Sequence, residues 1–320
     1  MREPPRKIST DRQGKGSIPS PLRPDAMAIA PSTPPTPRKE RLSKTTLLDL
    51  LSAENSCAGC DPLTEALVYH IGTGGGQTRA GISFEAGTAL GLREKDSVLL
   101  AASVEFLHNA SLVQDDLQDR SEKRRGHPSV WKKFGDAAAI GLTDYLIASS
   151  FQVLGGVSVP ERIPALLSCI HDAILRTLKG QGRDLRETSP ATVEECVEVA
   201  AAKSGPLFSL ALELPLLTAG MGEHCQKART AASAFGVGYQ IYDDLDDFAC
   251  DLAADAKSNL VLVLHEEMPL ATARGKAVSM AMEKLSTASA WASTLPNGSG
   301  RELERLALIL HARLEEKRDA

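Results

Sequence analysis

From about residue 45 onward, apolar residues recur at three- and four-residue spacing, and Gly and Pro interrupt the pattern. That period is the signature of helices that bury one face. It predicts helices over 46–54, 62–71, 81–91, 95–119, 136–155, 161–179, 191–202, 206–220, 224–250, 258–266, 271–287 and 300–317. Breaks are expected at 72–76, 126–128, 155–160, 180–182 and 296–300. Ala, Leu, Glu, Lys and Arg dominate the segments, and these are strong helix formers. No alternating pattern flanked by hairpin turns is visible. Segments 136–155 and 206–220 are apolar nearly all round, so they belong inside a bundle. The expectation is an all-α domain over 45–320.

Residues 1–44 break this pattern. They hold nine of the 18 prolines and a local charge of about +6, which leaves about -11 on the remainder of a chain of net charge -5. Such composition buries too little apolar surface to fold alone and reads as a disordered basic tail. It has no apolar core of a secretory signal. No run of about 18 apolar residues is evident, so no membrane span is expected. The acidic balance argues against nucleic acid. Six scattered cysteines, among them Cys57 and Cys60, lack a second pair to complete a zinc site, and free thiols in the cytoplasm are expected.

Two acidic clusters carry the chemistry. Asp115-Asp-Leu-Gln-Asp119 and Asp243-Asp-Leu-Asp-Asp247 each follow an apolar helical run. Residues i and i+4 share one face of a helix, so Asp115 points with Asp119 and Asp243 with Asp247. Clustered carboxylates repel one another unless a cation neutralises them. Mg²⁺ suits an all-oxygen set that leaves positions for phosphate oxygens. Arg124, Arg125, Lys203 and Lys257 are the cations available to a diphosphate.

These residues stand in a pattern. Leu112-Val-Gln-Asp-Asp-Leu-Gln-Asp119 is followed by Arg124-Arg-Gly-His-Pro-Ser129. Phe134-Gly135, Thr143-Asp144, Gly180-Gln181 with Asp184-Leu185, Lys203-Ser-Gly-Pro-Leu-Phe208 and Gly238-Tyr-Gln-Ile-Tyr-Asp-Asp-Leu-Asp-Asp247 come after it. Over about residues 60–265 the sequence resembles the trans-isoprenyl diphosphate synthases of the polyprenyl synthetase family. The resemblance implies a class I isoprenoid synthase bundle, with central helices around a deep apolar cavity, working as a homodimer. It implies a prenyltransferase that joins an allylic prenyl diphosphate to isopentenyl diphosphate by ionisation, condensation and elimination.

By the same resemblance Asp115, Asp116 and Asp119 hold two Mg²⁺ ions, and Asp243, with Asp244 and Asp247, holds a third. Arg124, Lys203 and Lys257 contact the allylic diphosphate. Gln240 and Ser204 lie beside the reacting carbons. Arg79, His108 and Arg125 contact the acceptor. Ala110 and Ser111, before the first cluster, are small, which implies a product of C20 or longer, with Phe106 and Leu107 as the next floor.

One departure stands out. Gly74-Gly-Gly-Gln-Thr-Arg-Ala80 corresponds to the family's acceptor-binding GGKxxRP, and Gly76 replaces its lysine. A charge-assisted contact of about 1.5–3 kcal/mol is thereby lost. A class I terpene cyclase, which needs no acceptor diphosphate, is therefore the alternative, and a non-catalytic subunit is a lesser one. Aromatics at 4% argue modestly against a cyclase, since such enzymes surround a cation with aromatic faces.

Overall fold

The computed structural model describes residues 61–184, 192–253 and 259–319. The expected tail over 1–44, the helix over 46–54, Cys57, Cys60 and Lys257 lie outside these residues.

The helices are α1 (Pro62–Gly72), α2 (Thr78–Ala89), α3 (Glu94–Gln118), α4 (Val130–Phe134), α5 (Asp136–Gln152), α6 (Ile163–Asp184), α7 (Val193–Thr218), α8 (Cys225–Ala253), α9 (Leu260–Glu267), α10 (Leu270–Ser293) and α11 (Arg301–Asp319). Local chemistry sets several starts. Asp61 caps α1 by accepting from the backbone of Leu63 and Thr64, with Pro62 in the first turn. Thr192 and Glu195 form a reciprocal capping box on α7. The start of α3 has no side-chain cap, but Glu94 and Asp96 lie in its first turn, where the helix dipole favours anions.

Three expectations change. The gap left between the helices expected over 191–202 and 206–220 is helical, and the break expected at 180–182 does not occur: α7 runs through Pro206 and Pro215, and α6 continues through Gly180. A proline inside a helix costs about 3 kcal/mol. Leu207, Phe208, Leu210, Leu212, Leu214 and Leu216 are nearly inaccessible, and each contributes roughly 1.5–3 kcal/mol on burial, so packing outweighs the breakers. Second, a two-residue hairpin pairs β1 (Lys123–Arg124) with β2 (His127–Pro128), the sole β-structure among the described residues. Third, the stretch Asp136–Gly156 is long and apolar enough, by composition alone, to cross a bilayer. In this fold it packs against α1, α3 and α4.

The core sits where α3, α7 and α8 meet, with Phe106, Phe208 and Phe235 fully buried. α2 packs on α3 and α7, α6 on α7, and α10 on α8. The α6–α7 crossing is very close at Gly180. A Cβ placed there would lie 2.6 Å from the Ala202 carbonyl carbon and 2.8 Å from the Lys203 nitrogen. The absence of a side chain at Gly180 thus fixes how deeply α6 seats behind the Lys203 segment.

This contact gives a direct test. Gly180→Ala improves helix propensity by about 1 kcal/mol yet overpacks a backbone contact, so a net loss of about 1–3 kcal/mol is expected in urea unfolding. Gly275→Ala in α10, with open space around the position, should raise stability by up to about 1 kcal/mol. Equal responses from the two would contradict the close crossing.

Candidate active site

α3 ends in a Schellman turn. The Ser121 nitrogen donates to the Asp116 carbonyl at 2.9 Å, with Arg120 in the left-handed region at φ 53°. Arg120 is held by a two-pronged contact to Asp136 at 2.9 Å. The chain then reverses through Arg125 and Gly126, both with positive φ, which is the type I′ geometry of a two-residue hairpin. The Ser129 hydroxyl and the Trp131 indole both donate to the Ser121 carbonyl and tie the hairpin down. This turn delivers Arg124 and Arg125 to a cavity of about 450 Å³ between α2, α3, α7 and α8.

The cavity brings together most of the expected residues. From α3 come His108, Ser111, Asp115 and Asp119; from the hairpin Arg124 and Arg125; from α2 Arg79. Lys203 and Ser204 of α7 and Gln240, Asp243 and Asp247 of α8 complete it. The two acidic clusters therefore face one space from different helices.

The middle aspartates do not line that space. Asp116 is 2% exposed and accepts from Arg124 at 2.6 Å and 3.1 Å. Asp244, also buried, accepts from the Leu260 nitrogen at 2.9 Å and from the Gln240 amide at 3.1 Å. Asn259 donates to the Asp244 carbonyl at 2.9 Å. Each middle residue lies about 100° round the helix from the cavity-facing pair and anchors neighbouring structure instead. Phe106 is likewise misplaced by the sequence expectation. It is fully buried elsewhere in the core, whereas Leu107, Ala110 and Ser111 line a small apolar pocket of about 40 Å³ with Ile147, Ile174 and Leu178. Ser111 and Leu207 border both spaces, so the small pocket adjoins the large one.

Electrostatics separates the two sides of the site. Burial pushes the Asp115 carboxyl up to about 6, although Lys203 opposes the rise. Burial raises Asp243 well above the usual carboxylate range, against a hydrogen bond from Tyr239. Its Oδ1 is buried without a hydrogen-bond partner. Opposed, desolvated carboxylates of this kind fit a divalent cation that restores their charge. Among the described residues no three His, Cys, Asp or Glu side chains converge on one ion. Any Mg²⁺ would therefore draw ligands from a diphosphate and water as well, as that ion commonly does.

On the Arg79 side of the cavity, Arg79 and His108 stand where expected, and Glu105 joins them as a residue the sequence reading missed. Arg79, 8% exposed, lies with its guanidinium 4.1 Å from the centre of the Phe208 ring and donates to His108 Nε2 at 3.2 Å. Arg79 has no lone pair to offer, so the proton of neutral His108 sits on Nδ1, which is buried without a partner. Burial and the neighbouring Arg79 and Arg125 hold His108 well below its ordinary pKa. Glu105 also lines the cavity, and burial raises its carboxyl despite Arg79. Asn109 links Glu105 to His70, donating to the Glu105 side chain at 3.2 Å and meeting His70 Nε2 at 3.0 Å. A Glu, a His and an Asn at 105, 108 and 109 inside an apolar helix were the available signal. Gly75, at φ 140°, lets Arg125 press against the backbone: a Cβ there would lie 2.6 Å from Nη2.

The polyprenyl synthetase family model matches residues 60–260. The chain belongs to the polyprenyl synthetase family. It is 30% identical over 235 residues to a (2E,6E)-farnesyl diphosphate synthase of Mycobacterium bovis, covering 66% of this chain and 65% of that protein. It is 29% identical over 219 residues to a geranylgeranyl pyrophosphate synthase of Geoglobus acetivorans, covering 64% and 69% of the two chains. In structure, the geranylgeranyl pyrophosphate synthetase from Geoglobus acetivorans aligns with a TM-score of 0.75 at 24% identity, over 84% of this chain and 96% of that one. A decaprenyl diphosphate synthase from Rhodobacter capsulatus aligns at 0.72 and 22% identity, over 84% and 95%. These structures show the fold: the class I isoprenoid synthase bundle.

His70 makes the family site sensitive to acid. Burial, with Arg125 and Arg124 nearby, pushes its pKa down to about 3 from 6.5. The unfolded chain takes up a proton as pH falls through 6.5, and the folded chain does not. Stability is therefore complete above about pH 7 and falls by up to about 1.4 kcal/mol for each pH unit below 6.5. His70→Gln keeps a donor for Asn109 and should shrink the loss between pH 7 and 5, measured by urea unfolding, by about 1–2 kcal/mol. Identical slopes in the two proteins would contradict a buried neutral His70.

Proposed function

We propose that this protein is a Mg²⁺-dependent prenyltransferase that condenses an allylic prenyl diphosphate with isopentenyl diphosphate. The observation that carries the reading is the meeting of Asp115, Asp119, Asp243 and Asp247 with Arg124 and Lys203 in one cavity, with Arg79, Arg125 and His108 beside them. Arg79, Arg124, Arg125 and Lys203 stand against five carboxylates, Glu105 included. Such a lining repels a diphosphate until divalent cations offset it. The four cavity-facing aspartates would hold Mg²⁺, whose role is to neutralise the diphosphate and stabilise it as a leaving group.

Arg124, fixed by Asp116, and Lys203 would grip the allylic diphosphate as the C1–O bond breaks and the electron pair leaves with it. Ser204 and Gln240 would lie beside the reacting carbons, and Lys257 would add a further cation to the clamp. The acceptor double bond then attacks C1, and a proton lost from the acceptor passes to the departing diphosphate. Neutral His108 and the two arginines Arg79 and Arg125 would hold the acceptor diphosphate. Gly76 leaves that half one cation short, which favours a weak or broadened acceptor site.

The apolar pocket below Ser111 supports chain growth in that direction. Ala110 and Ser111 are small enough to admit a chain, and Leu107, Ile147, Ile174 and Leu178 close it. A product of C20 or longer is the reading these walls favour. Leu167, Leu175 and Leu178 on α6 and Ile140 on α5 are exposed, an apolar face that supports a homodimer. Free Cys169, Cys196, Cys225 and Cys250 suit a reducing compartment such as the cytoplasm.

Incubation with farnesyl diphosphate and Mg²⁺, with and without isopentenyl diphosphate, tests the activity. A longer diphosphate is expected only with the acceptor. A hydrocarbon or alcohol made without it would establish a cyclase, and no turnover would point to a non-catalytic subunit. Asp243→Asn should lower kcat by about 100-fold or more.

Product analysis tests the pocket separately. Ala110→Phe should shorten the product and Leu107→Ala lengthen it, whereas Phe106→Leu should leave its length unchanged. A changed length from Phe106→Leu alone would overturn this lining.

A further inference from the structure

α7 is a wall shared by two cavities. Lys203, Ser204 and Leu207 line the site described above. Ala202, Gly205, Pro206 and Ser209 line a larger, open space of about 800 Å³ on the opposite face, bordered by α6, α8 and α10. That volume lies in the range of small-molecule sites.

The second cavity is cationic. Arg176 and Lys179 of α6, Arg229 of α8 and Lys284 of α10 line it, and Glu198 is the one carboxylate among its described lining residues. Glu213, wholly buried behind Ser209, organises the two guanidiniums. It accepts from Arg229 at 2.7 Å and 2.8 Å and lies 3.6 Å from Arg176. It also accepts from the Ser209 hydroxyl and from the Cys169 thiol at 3.7 Å. Arg176 Nη2 is buried and makes no hydrogen bond, its 3.6 Å approach to Glu213 being an ion pair alone. One carboxylate thus fixes two arginines without cancelling both, and Lys179 and Lys284 add to the positive excess.

The chemistry of the lining divides in two. The guanidinium nitrogens that Glu213 does not take offer donors to phosphate oxygens, and Thr230, Ser233 and Thr287 offer hydroxyls beside them. Val197, Ala201, Pro206, Ala234 and Val237 supply an apolar floor. We propose that this cavity is a second ligand site, for a phosphorylated small molecule with a short apolar body. The phosphate sits on Arg176 and Arg229, and the body lies along the floor. The active-site wall would register such an occupant, because α7 and α8 touch beside it: a Cβ on Gly236 would lie 2.9 Å from the Gly205 nitrogen. The assignment does not depend on the reaction proposed above.

The test is calorimetric titration of the full chain with n-octyl phosphate in EDTA, where a metal-dependent diphosphate clamp is silent. One binding event is expected, and it should persist in Asp115→Asn/Asp243→Asn. Lys179→Glu/Lys284→Glu should weaken it at least tenfold, with Lys179→Gln/Lys284→Gln as the gentler pair if charge reversal unfolds the protein. No binding at millimolar ligand, loss of binding on the aspartate changes, or indifference to the lysine changes would each overturn the site. Inorganic phosphate binding as tightly as n-octyl phosphate would overturn the apolar part of the ligand class.

Discussion

The arrangement of this site depends on how each DDxxD cluster divides its carboxylates. A helix can aim only residues about one turn apart at the same target, so the outer aspartates face the cavity and the middle one cannot. Both middle residues are put to structural use. Asp116 draws in Arg124 from the hairpin and so sets the position of the cation nearest the first cluster. Asp244 takes the Leu260 amide and the Gln240 side chain and so fixes where the chain re-enters α9. Without these anchors the cavity-facing aspartates would be two pairs of repelling charges with no fixed neighbours. With them, Asp115 and Asp243 are held in surroundings dry enough to raise their carboxyls, which a divalent cation would oppose.

The Arg79 side of the cavity solves a related problem in a different way. Arg79 is almost entirely buried, yet its charge is shared among Glu105, the face of Phe208 and the lone pair of His108. Glu105 is in turn held through Asn109 to His70, which stays neutral. This chain of polar contacts runs beneath the glycine-rich segment, where Gly75 admits Arg125. Gly76 places no cation there, so Arg125 and Arg79 supply the positive charge on this side of the cavity.

Much of this was legible in the sequence because helix period is a strong signal. The apolar spacing marked most helices, and the i, i+4 rule paired Asp115 with Asp119 and Asp243 with Asp247. What was not legible depended on partners distant in sequence. Gly205 and Pro206 look like a break, and only the burial of Leu207 to Leu216 on several neighbours overrides them. The Arg125-Gly126 hairpin is too short for alternation to show, and Arg125 is not the residue a left-handed turn usually selects. Phe106 and Leu107 are one residue apart, about 100° round α3. Which of them meets the small pocket depends on where α5 and α6 pack.

The scarcity of aromatics takes on a sharper meaning once their positions are known. Phe208 and Phe235 meet edge to face at 4.8 Å, and Phe235 stacks on Tyr239 at 6.3 Å, so three of the available rings form one cluster. Of that cluster only Tyr239 lines the site, and its hydroxyl serves Asp243. Phe208 gives its face to Arg79, a resident cation. A migrating carbocation would therefore meet carboxylates, an amide and aliphatic walls rather than ring faces. Such a lining offers little of the cation–π stabilisation that ring faces supply. The placement of the rings, more than their number, is what supports the proposed chain elongation over a cyclisation.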